Sequence, residues 1–542
     1  MSALPGLLPR SETGDRTPYL MALAAAAIVL AFAATTNQVW EDYYITFRIS
    51  RNLVEGHGLV YQVGERVHTF TSPLGVLLPA LGLWVTGSDG GALFFFRVLS
   101  AVALAGAAVL LAAHGRDHGW TRASLWFALV LGLLNSKTIA FASNGMETGL
   151  LVFFAALTWR ELTRPDGSGW PVLALGYGGL MWTRPDACVL AAAMTAGWWT
   201  FGVRHTATAA QRTWWRSVGT AVVAGGLLYA PWFLGAWHYY GSPVPQTIVA
   251  KAAITPEGWS LSRIVFAPLR CLVENTGLDG VFAPAYFWQN WPRDLTGAFR
   301  LLARLSAFLW IVPALPRPVR AASVAVLVGG VYFHQIMPYP WYYAPWTFLA
   351  SMALAGAAGV LWARCSRSIR TVGMVTAGVV AAGSLGLLVA VTYASRIQQR
   401  CLEDGGRRQI GLWLRAHAKP GDTVFLESLG YMGYFSQLKM LDVPGLSAPE
   451  VSRLMRAGHR DYASLIKALH PAWVVIRPGE YFDQHLHEND GLHDYALVNR
   501  WNVRPALDAI SFLPSRGALE FDAEYLVFQR RASPPPPPAA PS

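Results

Sequence analysis

Charge is scarce in this sequence. Only 14% of the 542 residues are Asp, Glu, Lys or Arg, while 53% are hydrophobic and 23 are tryptophan. Soluble proteins carry about 25% charged residues, so the composition argues against an ordinary soluble enzyme. Tryptophan is enriched where aromatic side chains lie at membrane interfaces. The composition therefore predicts a protein that crosses the membrane several times.

The motifs of soluble cofactor chemistry are missing as well. The sequence has no P-loop, no dinucleotide-binding glycine fingerprint, no HExxH and no nucleophile elbow. A soluble nucleotide-sugar site is therefore unsupported. The four cysteines are Cys188, Cys271, Cys365 and Cys401, and their spacing matches no zinc pattern. A disulfide between Cys271 and Cys401 stays open, because sequence does not show whether the two thiols are close.

Acidic residues are fewer than basic ones. There are 32 Asp and Glu against 43 Lys and Arg, which gives a formal net charge of +11. Such an excess can indicate nucleic-acid binding. Here the basic residues form short clusters between apolar runs and no contiguous stripe, as expected for the cytoplasmic loops of a membrane protein. We therefore expect a membrane-lipid environment and no nucleic-acid partner.

Long apolar runs predict the membrane spans. A span needs about 20 residues, and we place eleven of them between residues 19 and 393. They are 19–36, 92–113, 121–141, 147–160, 170–183, 187–203, 217–237, 299–315, 320–337, 343–363 and 370–392. Residues 73–86 are apolar but short, so we interpret them as an interfacial segment.

Arginine in the short loops sets the predicted orientation. With residues 1–18 in the cytoplasm, every inner loop is basic, and the outer loops become 37–72 and 238–298. The expected location is the cytoplasmic (inner) membrane. One alternative is that the first span is a cleaved signal peptide, since basic residues precede it and "AFAA" lies near its end.

The sequence changes character after the last predicted span. "IGLWLRAHAKPGDTVFLESLGYMGYFS" reads as a helix, a Pro-Gly-Asp turn, a strand and a loop rich in Gly and Tyr, while 471–478 and 524–531 read as strands. Residues 394–531 are therefore predicted to form an extracytoplasmic α/β domain, and 532–542 a disordered Pro-rich tail. The predicted fold class is an α-helical polytopic membrane protein with this C-terminal domain.

Two adjacent acids, Glu41 and Asp42, stand just after the first predicted span, in "VWEDYYITFRISRN". Charge so close to the membrane core is costly unless it faces water or a partner. One interpretation is structural, because acids favour the N-terminus of the helix that "YYITFRISRNLV" suggests. The other is that the carboxylates take part in chemistry. A carboxylate pair alone does not choose between the two.

Several motifs resemble one family in the order in which they occur. They are "EDYYITFRI" (41–49), "GHGLVYQVGERV" (56–67), "TSPL" (71–74), "SNGMETGL" (143–150), "TRPDA" (183–187), "YYGSPVPQTIVAK" (239–251) and "GYMGYFSQLKMLDVPGLSAPEV" (430–451). The sequence resembles membrane glycosyltransferases of the GT-C class. More narrowly, it is similar to polyprenyl-phosphate-arabinose-dependent arabinofuranosyltransferases that add terminal residues. It departs from the pattern at Tyr43, Gly75 and Gln246, which weakens any statement about the sugar.

The resemblance implies roles for the charged residues. An acid just after the first span meets the head group of a polyprenyl-phosphate sugar at the outer membrane face, so we expect Asp42 to be the catalytic base. Glu41 would be a second choice, or would orient the acceptor. The leaving phosphate needs cations, and Lys251, Arg184 and Arg48 are the candidates. The structural alternatives are a surface lysine, an Arg184–Asp186 pair and a snorkelling Arg48.

Further residues are assigned to substrate binding: Glu147, Asn144, His57 and Tyr44. Glu147 contacts a sugar hydroxyl on this interpretation, or else caps the following helix. His57 contacts phosphate or holds the loop. We assign no resident metal, although a divalent cation held by Asp42 and Glu41 stays open, because two acids without a third ligand argue poorly for one.

The expected function is transfer of a sugar from a polyprenyl-phosphate lipid donor to a hydroxyl of a glycan or protein acceptor, outside the cytoplasmic membrane. Arabinofuranose is the expected sugar, with mannose or another hexose as the alternative. A lipid-linked sugar flippase or transporter is a competing hypothesis, but a transporter should show repeated halves and polar residues deep in its spans. A non-catalytic assembly subunit is a third, in which the outer acids would be replaceable.

Overall fold

The computed structural model describes residues 15–531 except 168, 255–259, 275–276, 286–290, 337, 365, 485, 487–490 and 515. Three predicted or named features lie outside the described residues: positions 1–14 of the predicted cytoplasmic N-terminus 1–18, the predicted Pro-rich tail 532–542, and Cys365. The chain is mostly helical. Its only sheet among the described residues lies near the C-terminus.

The helices before that sheet are α1 (Thr17–Thr36), α2 (Glu41–Val54), α3 (Pro73–Thr86), α4 (Asp89–Asp117), α5 (Arg122–Ala128), α6 (Ser136–Ser143), α7 (Thr148–Leu162), α8 (Trp170–Thr183), α9 (Ala187–Trp198), α10 (Thr208–Tyr240), α11 (Gln246–Ile254), α12 (Leu261–Val273), α13 (Arg293–Phe308), α14 (Arg317–Phe333), α15 (Ala344–Arg364), α16 (Arg367–Ile397) and α17 (Arg408–His417). Wider π-helical turns at Leu129–Leu133, Trp199–Val203 and Gln398–Arg407 extend α5, α9 and α16. Short 3₁₀ turns lie at Leu309–Ile311 and Pro340–Tyr343.

Five helices in the described part of the chain are long and apolar enough to cross a membrane. They are Thr17–Thr36, Asp89–Asp117, Thr208–Tyr240, Pro340–Trp362 and Arg367–His417. A sixth arises if Arg122–Leu133 and Ser136–Ser143, which meet at 55°, form one broken span. The chain is therefore a multi-pass membrane protein, but the count of eleven spans is not confirmed.

The remaining predicted spans coincide with shorter helices. The helices α7, α8 and α14 have 15, 14 and 17 residues, below the roughly 20 that a perpendicular crossing needs. The predicted span 299–315 is shifted, because α13 begins at Arg293 and ends at Phe308. The Cys271–Cys401 disulfide is not formed, since both are free thiols.

The C-terminal sheet has five strands: β1 (Thr423–Leu426), β2 (Lys439–Asp442), β3 (Trp473–Ile476), β4 (Tyr495–Asn502) and β5 (Glu524–Arg530). Their order is β2-β1-β3-β5-β4, with β1 parallel to both β2 and β3, and β5 antiparallel to β3 and β4. The helices around them are α18 (Leu429–Ser436), α19 (Pro449–Arg456), α20 (Tyr462–Leu469), α21 (Pro478–Asp483), α22 (Arg504–Asp508) and α23 (Arg516–Phe521).

The strands that sequence predicted in 471–478 and 524–531 are confirmed as β3 and β5. The prediction of a loop in the segment rich in Gly and Tyr is wrong, because most of that segment forms the helix α18. Helix α18 lies directly on α2, and a Cβ at Gly430 would collide with the carbonyl oxygen of Glu41. Glycine is therefore needed for close approach rather than for a turn.

The sheet does not build its core alone. One of its faces contributes Val424, Met440 and Val527 to a buried cluster that also contains Ile45 and Ile49 of α2. The opposite face packs against α19 and α20. The helical run from α16 to α17 also crosses the predicted boundary at residue 394 without a break. The domain boundary at residue 394 stays a prediction. Helix α2 is the element of the N-terminal region that shares this buried cluster with the C-terminal sheet.

Candidate active site

The first turn of α2 is fixed from several sides. Asn37, the residue that follows α1, has a left-handed φ of 47° that turns the chain back, and its N–H donates to the Ala33 carbonyl. Two backbone contacts then hold the link to α2. The N–H of Trp40 donates to the Asn144 carbonyl at 2.9 Å, and the N–H of Val39 donates to Gln399 at 2.9 Å. The positions of Glu41 and Asp42 are therefore set by tertiary contacts.

Asp42 borders a cleft with about 580 Å³ of empty space, part of it open to solvent. The cleft is lined by Asp42, Ile45, Thr46, Thr69, Phe70, Thr71, Ser72, Met146, Glu147, Arg184, Thr247, Lys251, Trp341, Tyr342 and Leu446. These residues come from α2, the loop before α3, the helix termini after α6 and α8, α11, the turn at 340–343 and the loop after β2. The predicted Asp42, Glu147, Arg184 and Lys251 are thus brought together.

Burial raises the pKa of Asp42 from its ordinary value of 3.8 to about 6. The cations Lys251 and Arg184 oppose this rise, while the charges of Glu147 and Glu427 add to it. A carboxylate with a pKa near 6 is ionised at neutral pH yet retains affinity for a proton. That combination suits a general base.

Arg184 is buried and already paired. Its Nε donates to Asp186 Oδ1 at 2.9 Å, and an Nη lies 3.3 Å from Glu147 Oε1. Its guanidinium also covers the ring of Tyr342 at 4.0 Å. The structural pairing with Asp186 that sequence left open is therefore present. Glu147 is buried, and burial raises the pKa of its carboxyl despite the neighbouring Arg184.

Lys251 lies on α11 beside two tyrosines. Its Nζ is 3.4 Å from the Tyr342 hydroxyl and 4.5 Å from the centre of the Tyr339 ring. Burial lowers the pKa of Lys251, but Tyr342, Tyr339 and Asp42 raise it more, so the net shift is upward. The ammonium group therefore stays charged in the cleft. Its position in the cleft, against Tyr339 and Tyr342, does not favour the alternative of an ordinary surface lysine.

Thr247 is a cleft residue that sequence reasoning missed. It precedes Lys251 by one helical turn on α11, and it is about nine-tenths buried. Its Oγ1 has no hydrogen-bond partner within the described chain. A buried hydroxyl without a partner costs free energy, so its partner is expected to come from a ligand or water. The i, i+4 spacing to Lys251 is the sequence signal by which Thr247 could have been identified.

Glu41 faces away from this cleft. Its Oε1 accepts a hydrogen bond from the Gly430 N–H at 2.7 Å, and its Oε2 lies 3.1 Å from Arg407 Nε. Burial raises the pKa of Glu41 to about 7, although Arg407 opposes the rise. The side chains of consecutive helix residues point in different directions, so the carboxylates of Glu41 and Asp42 lie in different surroundings. The expected role of Glu41 as a second base is not supported by this position.

Arg407 and Arg477 organise a buried ionic network that sequence gave no sign of. Arg407 contacts Glu41, Glu403 and Asp522, with Nη–carboxylate distances of 2.7 Å to the latter two. Arg477 contacts Asp522 as well, at 2.6 Å. Both arginines are about 6–7% exposed. The network ties α2 to α16, α17 and the sheet, so its partners are distant in sequence.

Arg48, predicted to bind phosphate, does not line the cleft. Its guanidinium donates to the carbonyls of Gly433 at 2.9 Å and Leu438 at 3.1 Å, and it covers the Tyr61 ring at 4.4 Å. It therefore anchors α2 to the segment around α18. This geometry does not favour the predicted role of Arg48 in phosphate binding. It does not favour the alternative of a snorkelling side chain either, because Arg48 is buried.

The other predicted substrate contacts are dispersed. His57 is half exposed beside Glu55, at 3.8 Å, in the loop after α2. Tyr44 packs among Tyr431 and Tyr434, with ring centres 4.5 and 4.8 Å away. Asn144 lines a second cavity, together with Trp40 and Lys137. None of these three lines the Asp42 cleft, so their roles stay predictions that the geometry does not favour.

A divalent cation shared by Asp42 and Glu41 does not fit this arrangement, since the Glu41 carboxylate is bonded to Gly430 and Arg407. Within the described residues there is no group of three or more His, Cys, Asp or Glu side chains that could hold a metal ion. The charged groups in the cleft are instead one carboxylate flanked by a lysine and by the Arg184–Glu147 pair.

The sequence is similar to known proteins over part of its length. Residues 392–528 match a family described as a domain of unknown function (DUF8728). A terminal β-(1→2)-arabinofuranosyltransferase of Mycobacterium tuberculosis is 27% identical over 264 residues, which cover 46% of this chain and 40% of that protein. The protein of the same name from Corynebacterium glutamicum is 31% identical over 283 residues, 45% of this chain and 38% of its own. The chain thus spans about two fifths of these relatives' length.

The fold is similar to that of ArnT from Cupriavidus metallidurans. The apo crystal structure of ArnT aligns with a TM-score of 0.54 at 15% identity, over 94% of this chain and 97% of that one. The structure bound to undecaprenyl phosphate aligns with a TM-score of 0.53 at 14% identity, over 96% and 99%. ArnT is a GT-C glycosyltransferase, so the predicted resemblance to the GT-C class is confirmed at the level of the fold.

Proposed function

We propose that this protein is a membrane glycosyltransferase that moves a sugar from a polyprenyl-phosphate donor to an acceptor hydroxyl. The observation that carries the proposal is the position of Asp42, a partly buried carboxylate with a pKa of about 6, in one cleft with Lys251. A base and a cation in one cleft match the two needs of the reaction. The acceptor must lose a proton, and the departing phosphate must have its charge neutralised.

In the proposed reaction the acceptor hydroxyl oxygen attacks the anomeric carbon of the donor sugar. The new glycosidic bond forms as the bond from that carbon to the phosphate oxygen breaks. The hydroxyl proton passes to the Asp42 carboxylate, and the electron pair of the broken bond leaves with the polyprenyl phosphate. Proton transfer to a positioned base contributes about 10²–10⁴-fold to the rate of such steps.

Lys251 is the proposed phosphate ligand. Its ammonium lies against the Tyr342 hydroxyl, which adds a second donor at the same place. Arg184 contributes less, because Asp186 and Glu147 already neutralise it. We assign to Arg184 the task of holding Glu147 and Tyr342 in position. Charge on the phosphate grows as the bond breaks, so the Lys251 contact strengthens in the transition state.

The proposed sugar is arabinofuranose and the proposed acceptor is a glycan hydroxyl. Both partial relatives are named as terminal β-(1→2)-arabinofuranosyltransferases. The undecaprenyl phosphate bound to ArnT supports a polyprenyl-phosphate donor. Mannose or another hexose is the alternative that the assay below has to exclude.

The proposed location is the cytoplasmic membrane, with the Asp42 cleft and the C-terminal sheet on the outer side. Basic residues in the predicted inner loops support this orientation. In a background without native cysteines, Ser242→Cys should react with an impermeant thiol reagent in intact cells, and Ala209→Cys should not. Both positions are exposed in the structure, so access to the reagent depends on the side of the membrane. Labelling of Ala209→Cys alone would reverse the orientation.

The decisive experiment is donor turnover. Membranes containing the protein are incubated with a panel of polyprenyl-phosphate sugars and an arabinofuranose oligosaccharide, and released polyprenyl phosphate is measured. The wild type should consume the arabinofuranose donor, and Asp42→Asn should be about 10²–10⁴ times slower at unchanged protein level. Turnover of Asp42→Asn within threefold of wild type would remove Asp42 as the base. Equal turnover of a mannose donor would remove the assignment of the sugar.

A further inference from the structure

The region that matches a domain of unknown function contributes to the Asp42 cleft through a loop at one edge of its sheet. Strands β1, β2 and β3 are parallel, so their carboxyl ends lie at the same edge. Ligands of such sheets bind at this edge, in the crevice beyond the carboxyl ends. The loop after β2 supplies Leu446 to the lining of the cleft. The loop after β1 leads into α18, whose Gly430 bonds to Glu41 beside Asp42.

The first residue after β1 is Glu427, an exposed residue whose carboxylate is hydrogen-bonded to neighbouring side chains on one side. Its Oε2 accepts a hydrogen bond from Arg477 at 2.8 Å and one from the Ser428 hydroxyl at 3.4 Å. Arg477 is buried and is fixed in turn by Asp522. The Oε1 of Glu427 has no partner in the part of the chain that the structure describes, and 46% of the side chain is exposed. The carboxylate is therefore positioned rigidly with one oxygen available.

Glu427 lies next to the cleft without lining it. The preceding residue, Leu426, accepts a hydrogen bond from the Val443 N–H at 2.9 Å, at the start of the loop that supplies Leu446 to the cleft. The charge of Glu427 is close enough to contribute to the raised pKa of Asp42 and of Tyr339. Independently, the buried Thr247 hydroxyl in the cleft lacks a partner among the described residues. The cleft and the adjoining sheet edge thus each present a polar oxygen for which the described residues provide no partner.

The charges of the cleft differ between its sides. Lys251 lines the cleft from α11, whereas Glu427 lies outside the lining, at the edge of the sheet whose neighbouring loop supplies Leu446. A phosphate is repelled by Glu427 and attracted by Lys251. A metal ion at the sheet edge lacks ligands, since no suitable group of three is found in the described residues. Neutral sugar hydroxyls remain, and an ionised carboxylate accepts hydrogen bonds from them.

We propose that Glu427, in the loop after β1, binds hydroxyl groups of the acceptor sugar and presents another hydroxyl to Asp42. The C-terminal region thereby supplies the acceptor side of the active site, and the membrane helices supply the donor side. This inference rests on the proposed glycosyl transfer and adds a residue and a role that the transfer reaction alone does not require.

The kinetic test compares Glu427→Gln with Glu480→Gln. Both variants remove a carboxylate that contacts Arg477, at 2.8 and 2.9 Å, but the Glu480 side chain is only 14% exposed. With polyprenyl-phosphate arabinofuranose and an arabinofuranose oligosaccharide, Glu427→Gln should raise the acceptor KM about tenfold or more. Its donor KM should stay within about twofold. Glu480→Gln should leave both values near those of the wild type.

Two kinetic outcomes would overturn the inference. One is an unchanged acceptor KM in Glu427→Gln. The other is an equal rise in both variants, which would mean that Glu427 only supports Arg477. Thermal unfolding of each purified variant checks that the fold is retained. A further variant, Glu427→Asp, should recover part of the acceptor affinity, because it keeps the charge at a shorter reach.

A binding measurement separates this inference from the proposed function. Binding of the oligosaccharide is measured by calorimetry on purified Asp42→Asn, with and without Glu427→Gln. A tenfold weaker affinity in the double variant supports the acceptor role even if no donor sugar is ever consumed, in which case only the transfer reaction fails. Equal affinity in the two proteins overturns the acceptor role while the turnover of the wild type still stands on its own measurement.

Discussion

The first turn of α2 carries two carboxylates, on two sides of the helix, whose surroundings differ. On one side, Glu41 is bonded to a backbone N–H and to Arg407, inside a network that also holds Glu403 and Asp522. On the other side, Asp42 lies in a cleft, where Lys251 and Glu147 act on it through their charges. The acids are adjacent in sequence, yet within the described part of the chain only the Glu41 carboxylate has hydrogen-bond or ion-pair partners.

The comparison shows how one helix can serve structure and chemistry together. A buried carboxylate that has a geometric partner for each oxygen holds elements in place, because releasing it would leave charges unpaired. A carboxylate whose pKa is set by burial and by charges at a distance can still exchange a proton. Because Glu41 fixes the turn, Asp42 is held where the cleft converges. The following changes test this division, from the largest expected effect to the smallest.

Arg407→Met should have the largest effect on stability. It leaves the buried Glu41, Glu403 and Asp522 without their shared cation, and breaking such a buried pair costs about 3–5 kcal/mol. The midpoint of thermal unfolding in detergent should fall accordingly. The matched control is Arg408→Met, whose pair with Asp404 is about half exposed and should contribute less than about 1 kcal/mol. Equal midpoints for the two variants would contradict the structural role of the network.

Lys251→Met should reduce kcat/KM for the lipid donor by roughly 10–100-fold, because it removes a charge-assisted contact to the phosphate. The loss should exceed the loss in donor binding, since the contact strengthens as the bond breaks. Lys251→Arg should recover part of the activity. Steady-state kinetics with varied donor measures both. Lys419→Met, at an exposed turn, is the control. If both Lys251 variants match the wild type, the donor phosphate binds elsewhere.

The pH dependence should report Asp42. The base must be ionised, and burial raises its pKa to about 6, so kcat/KM should rise roughly tenfold per pH unit below that value and level off above it. Glu147 carries a like charge that adds to the rise. Glu147→Gln should therefore move the midpoint to lower pH. A midpoint that stays fixed in Glu147→Gln, or a flat profile in the wild type, would argue against Asp42 as the titrating group.

Glu41→Gln should have the smallest effect, a loss of turnover below about tenfold. Glutamine keeps an oxygen for the Gly430 N–H and gives up only the charge next to Arg407. Arg407 keeps its contacts with Glu403 and Asp522 in this variant, so its own charge stays compensated. Turnover measured beside Asp42→Asn checks this. A loss of turnover as large as that of Asp42→Asn would contradict the assignment of a structural role to Glu41 and a catalytic role to Asp42.

Much of the architecture could be read from the sequence. The helix after the first span and the strands at 473–476 and 524–530 were predicted from local patterns, and Asp42, Lys251, Glu147 and Arg184 were named as site residues from a family resemblance. The number of spans was not readable, because several apolar helices have only 14–17 residues. Helix α18 was missed because its glycines, Gly430 and Gly433, favour a turn in isolation.

The sequence by itself determined that this chain lives in a membrane, that an acid pair follows its first helix, and which residue types are available for chemistry. Composition and local order decide these features, since burial of apolar runs needs no distant partner. Only the tertiary structure decided which acid faces the cleft. Glu41 and Asp42 have the same local context, and they are distinguished by Arg407 and Gly430 on one side and Lys251 on the other. Those partners lie hundreds of residues away in sequence, so no local pattern could have identified them.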